Sequence, residues 1–419
     1  MIKNNIGKRT LALTMAAVML ASIASCGRGK NGAAVSESDT APHSQKADDG
    51  LYYPVTKESF YDENGELSRC YEYAYSTEGY LLKERHYYVT DGKIDQDYSS
   101  QYSYDGNGRM TKQVSDYTGW NDEIDQWNYD RWTTTYEYDD MGRMIAYEYL
   151  CENYHMKERK EVMDESALTE TDRLVIRSTI AYFNDKLTGG YLSRLRSRQV
   201  DVDGGLLDFW EDTLYDANGK PLWKSNQYNA GSTRYDEYQY DSKGRVTSQS
   251  TRYVTDAYIS ESLYSVEYDD QSRVIAQKRM YDGMKDSWVF FYNEDGSYAG
   301  CDETDVHGYV CQERCQYAAN GELICMTFHH ECEDADLKLR DRKKEYSDYD
   351  ANGNCGTVTL YALTDNGDWE LNEKHIYEYG DKIPKGVTYG TSQAKQEKQR
   401  LAVLNFDEDK RLFHEYLNR

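Results

Sequence analysis

The chain has 419 residues and a formal net charge of −25, with 74 acidic against 49 basic residues. That balance argues against a nucleic-acid partner, whose backbone demands clustered Lys and Arg, and fits a solvated acidic exterior. Tyr numbers 42 against 8 Phe, with 30 Gly and only 4 Pro, and mean hydropathy is −0.91; these predict glycine-turned strands with much surface per residue rather than a Leu-rich globule.

Taken in order, the chain opens on Lys3, Lys8 and Arg9, followed by an apolar stretch from Leu11 to Ala24. That stretch has the length of a signal-peptide core and is too short to span a bilayer. It runs into Ile23-Ala24-Ser25-Cys26-Gly27, an aliphatic and two small residues set directly before a cysteine. The pattern resembles a bacterial lipobox, which implies cleavage after residue 25 and a diacylglycerol on Cys26. Ordinary secretory cleavage, with Cys26 an incidental thiol, is the alternative. Residues 1–25 are then a leader, and 26–50, rich in Gly, Ser, Asn and charge, a flexible tether. The expected location is extracytoplasmic in a bacterial envelope, with the membrane as first partner through Cys26.

From residue 51 onward one phrase recurs: aromatic, Asp, two turn residues, Gly, basic or polar, aliphatic. It reads Tyr104-Asp105-Gly106-Asn107-Gly108-Arg109-Met110, then Tyr138-Asp139-Asp140-Met141-Gly142-Arg143-Met144, then Tyr240-Asp241-Ser242-Lys243-Gly244-Arg245-Val246. Looser copies begin at Tyr61, Tyr75, Tyr215, Tyr292, Tyr317 and Tyr349, each with Gly four residues on. A copy at Tyr268 has lost its Gly, and a fainter one begins at Phe406. Most neighbours are 24 to 34 residues apart, a repeat period that governs the architecture.

Each phrase describes a hairpin. Aromatics alternate with polar residues before it, as in Tyr102-Ser103-Tyr104 and Tyr136-Glu137-Tyr138, the period of a half-buried strand. Asp bonds the turn backbone ahead of it, and Gly supplies the positive φ that closes a type I turn with a G1 bulge. One hairpin cannot bury its own face, so neighbours must share a core. Tyr fits such a sheet because its ring packs while its hydroxyl stays solvated. The frame skips from Tyr138 to Tyr215, where Met156 to Ser166 reads as a short helix and an insertion near 151–200 is expected. Ile180 to Phe183 and Tyr191 to Val200 read as strands within that gap. Beyond the last copy, Glu333 to Lys344 lengthens a loop, and Ile376 to Tyr379 with Leu401 to Arg419 read as a closing pair of strands.

The Tyr-Asp-x-x-Gly-Arg-aliphatic phrase at 104–110, 138–144 and 240–246 resembles the YD-repeat family, also called rearrangement-hotspot repeats. The resemblance covers roughly residues 60–360 on the repeat criterion. It implies a β-hairpin array at the cell surface, with roles in surface contact or carbohydrate binding. In large members the repeats wind into a shell around a C-terminal toxin. This chain has far fewer repeats, lacks the Asp-Pro-rich signature that ends the family's core, and carries no distinct toxin domain. Tyr-rich wall-binding and glucan-binding repeats share the same turn, as at Phe60 to Gly65. They add a Gly-Trp step per unit, and Gly119-Trp120 is the only such step here.

Cysteine offers a candidate metal set: Cys311-x-x-x-Cys315 on one strand face, then Cys325, His329, His330 and Cys332. The first pair has zinc-like spacing, but no second pair closes a tetrahedral site. Strand thiols or cross-strand disulfides are the plainer reading. Paired carboxylates for glycoside hydrolysis are unavoidable among 74 acids and therefore uninformative. No nucleophile elbow, phosphate loop, zinc-protease helix or dinucleotide fingerprint is present. The sequence thus predicts an all-β, elongated, twisted antiparallel array of hairpins, a β-solenoid or open shell. The expected function is a non-enzymatic surface lipoprotein, without cofactor, that contacts glycan or another surface protein. A wall-polymer-degrading enzyme and a purely structural spacer are the alternatives.

Overall fold

The computed structural model describes residues 51–121, 126–156, 169–200, 206–228, 232–255, 257–281, 283–331 and 341–384. The leader, the tether, Cys26, the sequence-predicted helix beyond Met156, Cys332 and the stretch 401–419 lie outside them.

Among the described residues every regular element is a strand. The first eight are β1 (Leu51–Tyr52), β2 (Val55–Tyr61), β3 (Leu67–Tyr75), β4 (Leu81–Thr90), β5 (Lys93–Tyr104), β6 (Met110–Asn121), β7 (Gln126–Tyr138) and β8 (Met144–Met156). Next come β9 (Thr169–Asn184), β10 (Tyr191–Val200), β11 (Leu206–Tyr215), β12 (Pro221–Tyr228), β13 (Thr233–Tyr240), β14 (Val246–Val254), β15 (Ile259–Tyr268) and β16 (Val274–Tyr281). The last are β17 (Met284–Tyr292), β18 (Tyr298–Thr304), β19 (Val310–Tyr317), β20 (Leu323–Glu331), β21 (Arg342–Ser347), β22 (Thr357–Leu363), β23 (Trp369–Tyr379) and β24 (Ile383–Pro384).

Strands β2 to β23 each pair antiparallel with the next, and β23 returns to β2 through Val55↔Tyr379 and Phe60↔His375. The result is a closed up-and-down barrel of 22 strands, with β1 and β24 forming a separate two-stranded clasp. This corrects the expected open solenoid or shell. The alternation and the turn chemistry are local, and they form hairpins as expected. Closure depends on the cumulative twist and register of all the strands. A ladder register shift precedes the turn tyrosine in hairpin after hairpin, at Ser103/Tyr104, Glu137/Tyr138 and Gln239/Tyr240 among others. Bulges of this kind increase local twist and bend the strand. Repeated around the sheet, they curl it until the first and last strands meet and no long edge is left unpaired.

The expected gap is occupied. β9 and β10 take their places in the ring between β8 and β11, and Ile180 to Phe183 and Tyr191 to Val200 are strand as read. The expected closing pair is different: Ile376 to Tyr379 ends β23 and pairs with β2.

One face of the ring holds most of its buried side chains, including Phe60 and Glu58 (both 0% exposed), Tyr73, Ser100, Tyr136, Tyr149, Asp236 and Phe290. With only the ring itself among the described elements, that face is the concave one. It is not a single oil-like core. Apolar clusters each occupy one arc of the ring, as with Met110, Tyr136, Tyr147 and Leu195 on β6, β7, β8 and β10, or Phe290, Tyr298 and Cys301 on β17 and β18. Between them lie small polar residues bonded to each other, Ser100 Oγ to Ser115 Oγ and Ser178 Oγ to Ser197 Oγ, each at 2.7 Å. The opposite, outward face is laced with cross-strand ion pairs: Arg131–Asp116, Arg177–Glu148, Arg194–Asp212 and Lys278–Glu267 lie 2.7–2.8 Å apart.

Candidate functional site

The repeat motif builds one rim of the barrel. In the turn after β5, Gly108 N–H donates to the Asp105 carbonyl at 3.0 Å, and Asp105 N–H to the Arg109 carbonyl at 2.9 Å. The Asp105 carboxylate accepts from the amides of Asn107 and Arg109, and from Arg109 Nε at 2.6 Å. Gly108 sits at φ +77° as its place in the turn requires. The turns at Asp139-Gly142 and Asp241-Gly244 repeat this set of bonds. In the copy that lost its Gly, Ser272 takes the left-handed position at φ +68°.

The tyrosines join successive turns. Tyr138 Oη donates to the Met110 carbonyl at 2.8 Å, while the Arg109 guanidinium lies over the Tyr138 ring at 4.9 Å. Tyr104 reaches the Leu81 carbonyl and Tyr240 the Pro221 carbonyl in the same way. Tyr182, Tyr268, Tyr292, Tyr317, Tyr349 and Tyr379 complete nine such bonds, each to the residue two places past the preceding turn's positive-φ position. Arg143 covers Tyr182, Arg245 covers Tyr268 and Arg273 covers Tyr292. These hydroxyls are therefore committed to backbone rather than solvated, which corrects the sequence expectation. Burial pushes Tyr182 and Tyr240 up to about 12, so both stay protonated donors at any ordinary pH.

Two placements differ from the linear frame. Tyr61 ends an upward strand, so its turn at Asp62 lies on the opposite rim, outside the latched series. Tyr182, outside the in-frame copies, occupies a latch position. Its signal in the sequence was only an alternating Tyr182 in Ile180 to Phe183 with no Asp-x-x-Gly behind it.

Where the ring closes, an ionisable group of side chains lines the concave face of β2, β3, β4 and β23. Phe60 packs on His375 with ring centroids 4.3 Å apart and under the Arg69 guanidinium at 4.0 Å. His375 Nε2 lies 2.8 Å from Glu373 Oε2, and Arg69 Nη2 lies 2.9 Å from Glu373 Oε1. Burial opposes ionisation of Glu373, but the His375 hydrogen bond and the Arg69 charge outweigh it and hold the carboxyl below its ordinary value. Tyr102 donates to Glu84 at 2.6 Å, and burial, then the Glu58 and Glu84 charges, push Tyr73 up. Burial holds His86 below its ordinary value, against the opposing pull of Glu84. Glu58 and Glu84 are sealed beneath this aromatic layer, at 0% and 9% exposure. They do not present two carboxylates to a cleft, the geometry a glycosidase requires.

The cysteine set is divided by the strand pleat. Cys311 and Cys315 share the concave face of β19, as their spacing predicts, and pack into apolar clusters. Cys325 and His329 lie on the outward face of β20, where His329 Nδ1 meets Asp341 at 2.8 Å. Among the described residues no group of three or more His, Cys, Asp or Glu is arranged to hold a metal ion.

The outward wall of β11 to β13 carries a platform that the tyrosine count did not reveal. Trp210 and Tyr235, each 38% exposed, flank β12, and Trp223 lies 6.5 Å from the Tyr235 ring between centroids. The three surround Ser225, which pairs across the ladder with both Asp212 and Tyr235. Gln227 stands opposite Trp210, and Glu237 opposite Trp223. Rings open to water and interleaved with amide, hydroxyl and carboxylate groups provide stacking faces beside hydrogen-bonding groups. The usable signal was tryptophan: Trp120, Trp127, Trp210, Trp223 and Trp369 all fall on outward positions.

Fold and site together define a closed antiparallel barrel with a latched rim. No family model matches the chain, and no curated protein does. Among solved structures, a porin-like protein from Bacteroides uniformis is 13% identical over 64% of this chain and 97% of its own, with a TM-score of 0.27. The Photorhabdus luminescens Tc holotoxin pore is 10% identical over 74% of this chain, which spans only 23% of that one, with a TM-score of 0.18. Neither score reaches the level of a shared fold, and the role of neither neighbour carries over.

Proposed function

We propose that the protein is a non-enzymatic, envelope-anchored binding barrel, a small relative of the YD-repeat family, whose outward wall contacts glycan. The observation that carries this reading is the open platform of Trp210, Trp223 and Tyr235 on β11 to β13, set among hydrogen-bonding side chains. The repeat tyrosines are not that surface, since their hydroxyls are occupied in the rim latches.

The anchor is the lipid at Cys26 rather than the wall. A membrane-spanning barrel turns an apolar band toward lipid. Here the outward face bears ion pairs such as Arg194–Asp212, and the concave face bears Asp236, Asp286 and Glu313, so neither face suits hydrocarbon. The N-terminal clasp strand β1 and Pro54, which accepts from Gly380 N–H at 2.9 Å, lie at the latched rim. The described chain therefore begins at that rim.

A polysaccharide array probed with the full chain and with Trp210→Ala tests the reading. Binding to a polysaccharide class that the variant loses is the expected result; indifference of all binding to Trp210 and Trp223 counts against it. A structural spacer is the second reading. It is favoured by the consumption of nine tyrosines in rim bonds, and it gains if the array stays silent.

A further inference from the structure

The open rings on β11 to β13 stand among polar side chains that the fold leaves unspent. On the concave face small polar residues bond each other, and elsewhere on the outward wall charges are paired. On the platform the Ser225 hydroxyl, the Gln227 amide and the Glu237 carboxylate have no hydrogen-bond or ionic partner among the described residues. Each lies beside a ring: Ser225 opposite Tyr235, Gln227 opposite Trp210 and Glu237 opposite Trp223. The neighbouring cations, by contrast, are engaged. Arg194 is held by Asp212 through bonds of 2.7 and 2.8 Å, and Arg252, opposite Tyr235, lies 3.3 Å from Glu261. Arg196, opposite Trp210, also has a partner. The platform therefore offers ring faces, a hydroxyl, an amide and one uncompensated carboxylate.

We propose that this platform binds a neutral polysaccharide, with Trp210, Trp223 and Tyr235 stacked on the C–H faces of its sugar rings and Glu237 accepting from its hydroxyls. This rests on the glycan-contact reading above and names the ligand class. A hydrogen bond to a carboxylate is about twice as strong as one to a neutral acceptor, so Glu237 gains most from a ligand rich in hydroxyl donors. Ser225 and Gln227 each donate and accept, and so meet sugar hydroxyls in either sense. An acidic polysaccharide meets like charge, both at Glu237 and from a chain of net charge −25. A quaternary ammonium group also suits rings beside a carboxylate. Trp210 and Tyr235, however, flank β12 and stand two strand spacings apart, about 10 Å. That span fits linked sugar rings and is too wide to cage a single ammonium group.

The test is calorimetric titration of the full chain with dextran, laminarin, mannan, polygalacturonate or tetramethylammonium chloride. Binding to one of the three neutral polysaccharides, unchanged by added salt because no charge pair forms with the ligand, is the expected result. Glu237→Gln should weaken it roughly tenfold, the fold-change of one lost charge-assisted hydrogen bond. Trp210→Ala should lose a similar amount, and Lys83→Ala, on β4, should bind as the parent does. All three side chains are exposed, so unchanged thermal midpoints would show that the variants fold. Preference for polygalacturonate would overturn the neutral class while leaving the glycan reading intact. Neutral binding lost in Trp210→Ala but untouched in Glu237→Gln would overturn the part given to Glu237. Binding to none of the polysaccharides would overturn both readings, and binding of tetramethylammonium alone would replace the proposed ligand with an organic cation.

Discussion

Tyr138 Oη donates a hydrogen bond to the carbonyl oxygen of Met110, 28 residues earlier, at 2.8 Å. The bond ties the turn of one hairpin to the first strand residue after the preceding turn. It explains why the repeat carries Tyr where Phe would satisfy packing alone. The same bond recurs from Tyr104 to Tyr379 along one rim.

Removing one such hydroxyl should therefore cost a single buried hydrogen bond. Tyr138→Phe is expected to lower stability by about 1 kcal/mol, with more if the Met110 carbonyl finds no water. Tyr61→Phe, at a turn on the opposite rim, should cost less. Parallel thermal or urea unfolding of the two variants checks the difference, and equal losses would show that the latch is not what distinguishes the rims.

The positive-φ position of the turn gives predictions of opposite sign. Gly108→Ala forces a side chain into φ +77° and places Cβ 1.9 Å from the Tyr80 hydroxyl, whose ring stacks on Tyr104 at 4.9 Å. A loss above the ~1–2 kcal/mol of left-handed backbone alone is expected. Ser272→Gly relieves φ +68°, and after the extra chain entropy of Gly should gain about 0.5–1 kcal/mol. Unfolding midpoints of both variants read this directly.

Acid sensitivity should appear in two separate windows. The Asp241 carboxyl is held below its ordinary value by the Arg245 amide, with burial opposing and the Arg245 guanidinium assisting. Asp62 and Asp350 are lowered by the amides of Glu66 and Asn354. A depressed carboxylate contributes stability that is present above its unfolded value of about 3.9 and lost as pH falls through the folded value. His86, lowered by burial, contributes stability present above about 6.5 and lost as pH falls below it. Stability measured against pH should decline first below about pH 6.5 and again below about pH 4. His86→Phe should lessen the first decline, the remainder belonging to His330, also lowered by burial, and should leave the second; an unchanged first decline would remove His86 as a cause.

Anchoring is tested at the other end of the chain. Cys26→Ser should move the protein from the membrane fraction to the soluble fraction, because no acyl chains remain and the wall bears charge on both faces. Continued membrane fractionation of that variant would overturn the lipid-anchor reading.

What the sequence determined by itself is what a few adjacent residues determine. The alternation around Tyr104, the Asp105 bonds and the positive φ of Gly108 are decided within one turn, so the hairpins and the all-β class were legible. The partners of the tyrosine hydroxyls were not, because the acceptor of Tyr138 lies 28 residues away and is defined only once two hairpins are side by side. Closure was still less legible. Whether β23 reaches β2 depends on twist and register summed over 22 strands, and no single repeat encodes that sum. The aromatic wall followed the same rule: Trp210, Trp223 and Tyr235 are scattered in the chain, and only the strand register brings them around Ser225.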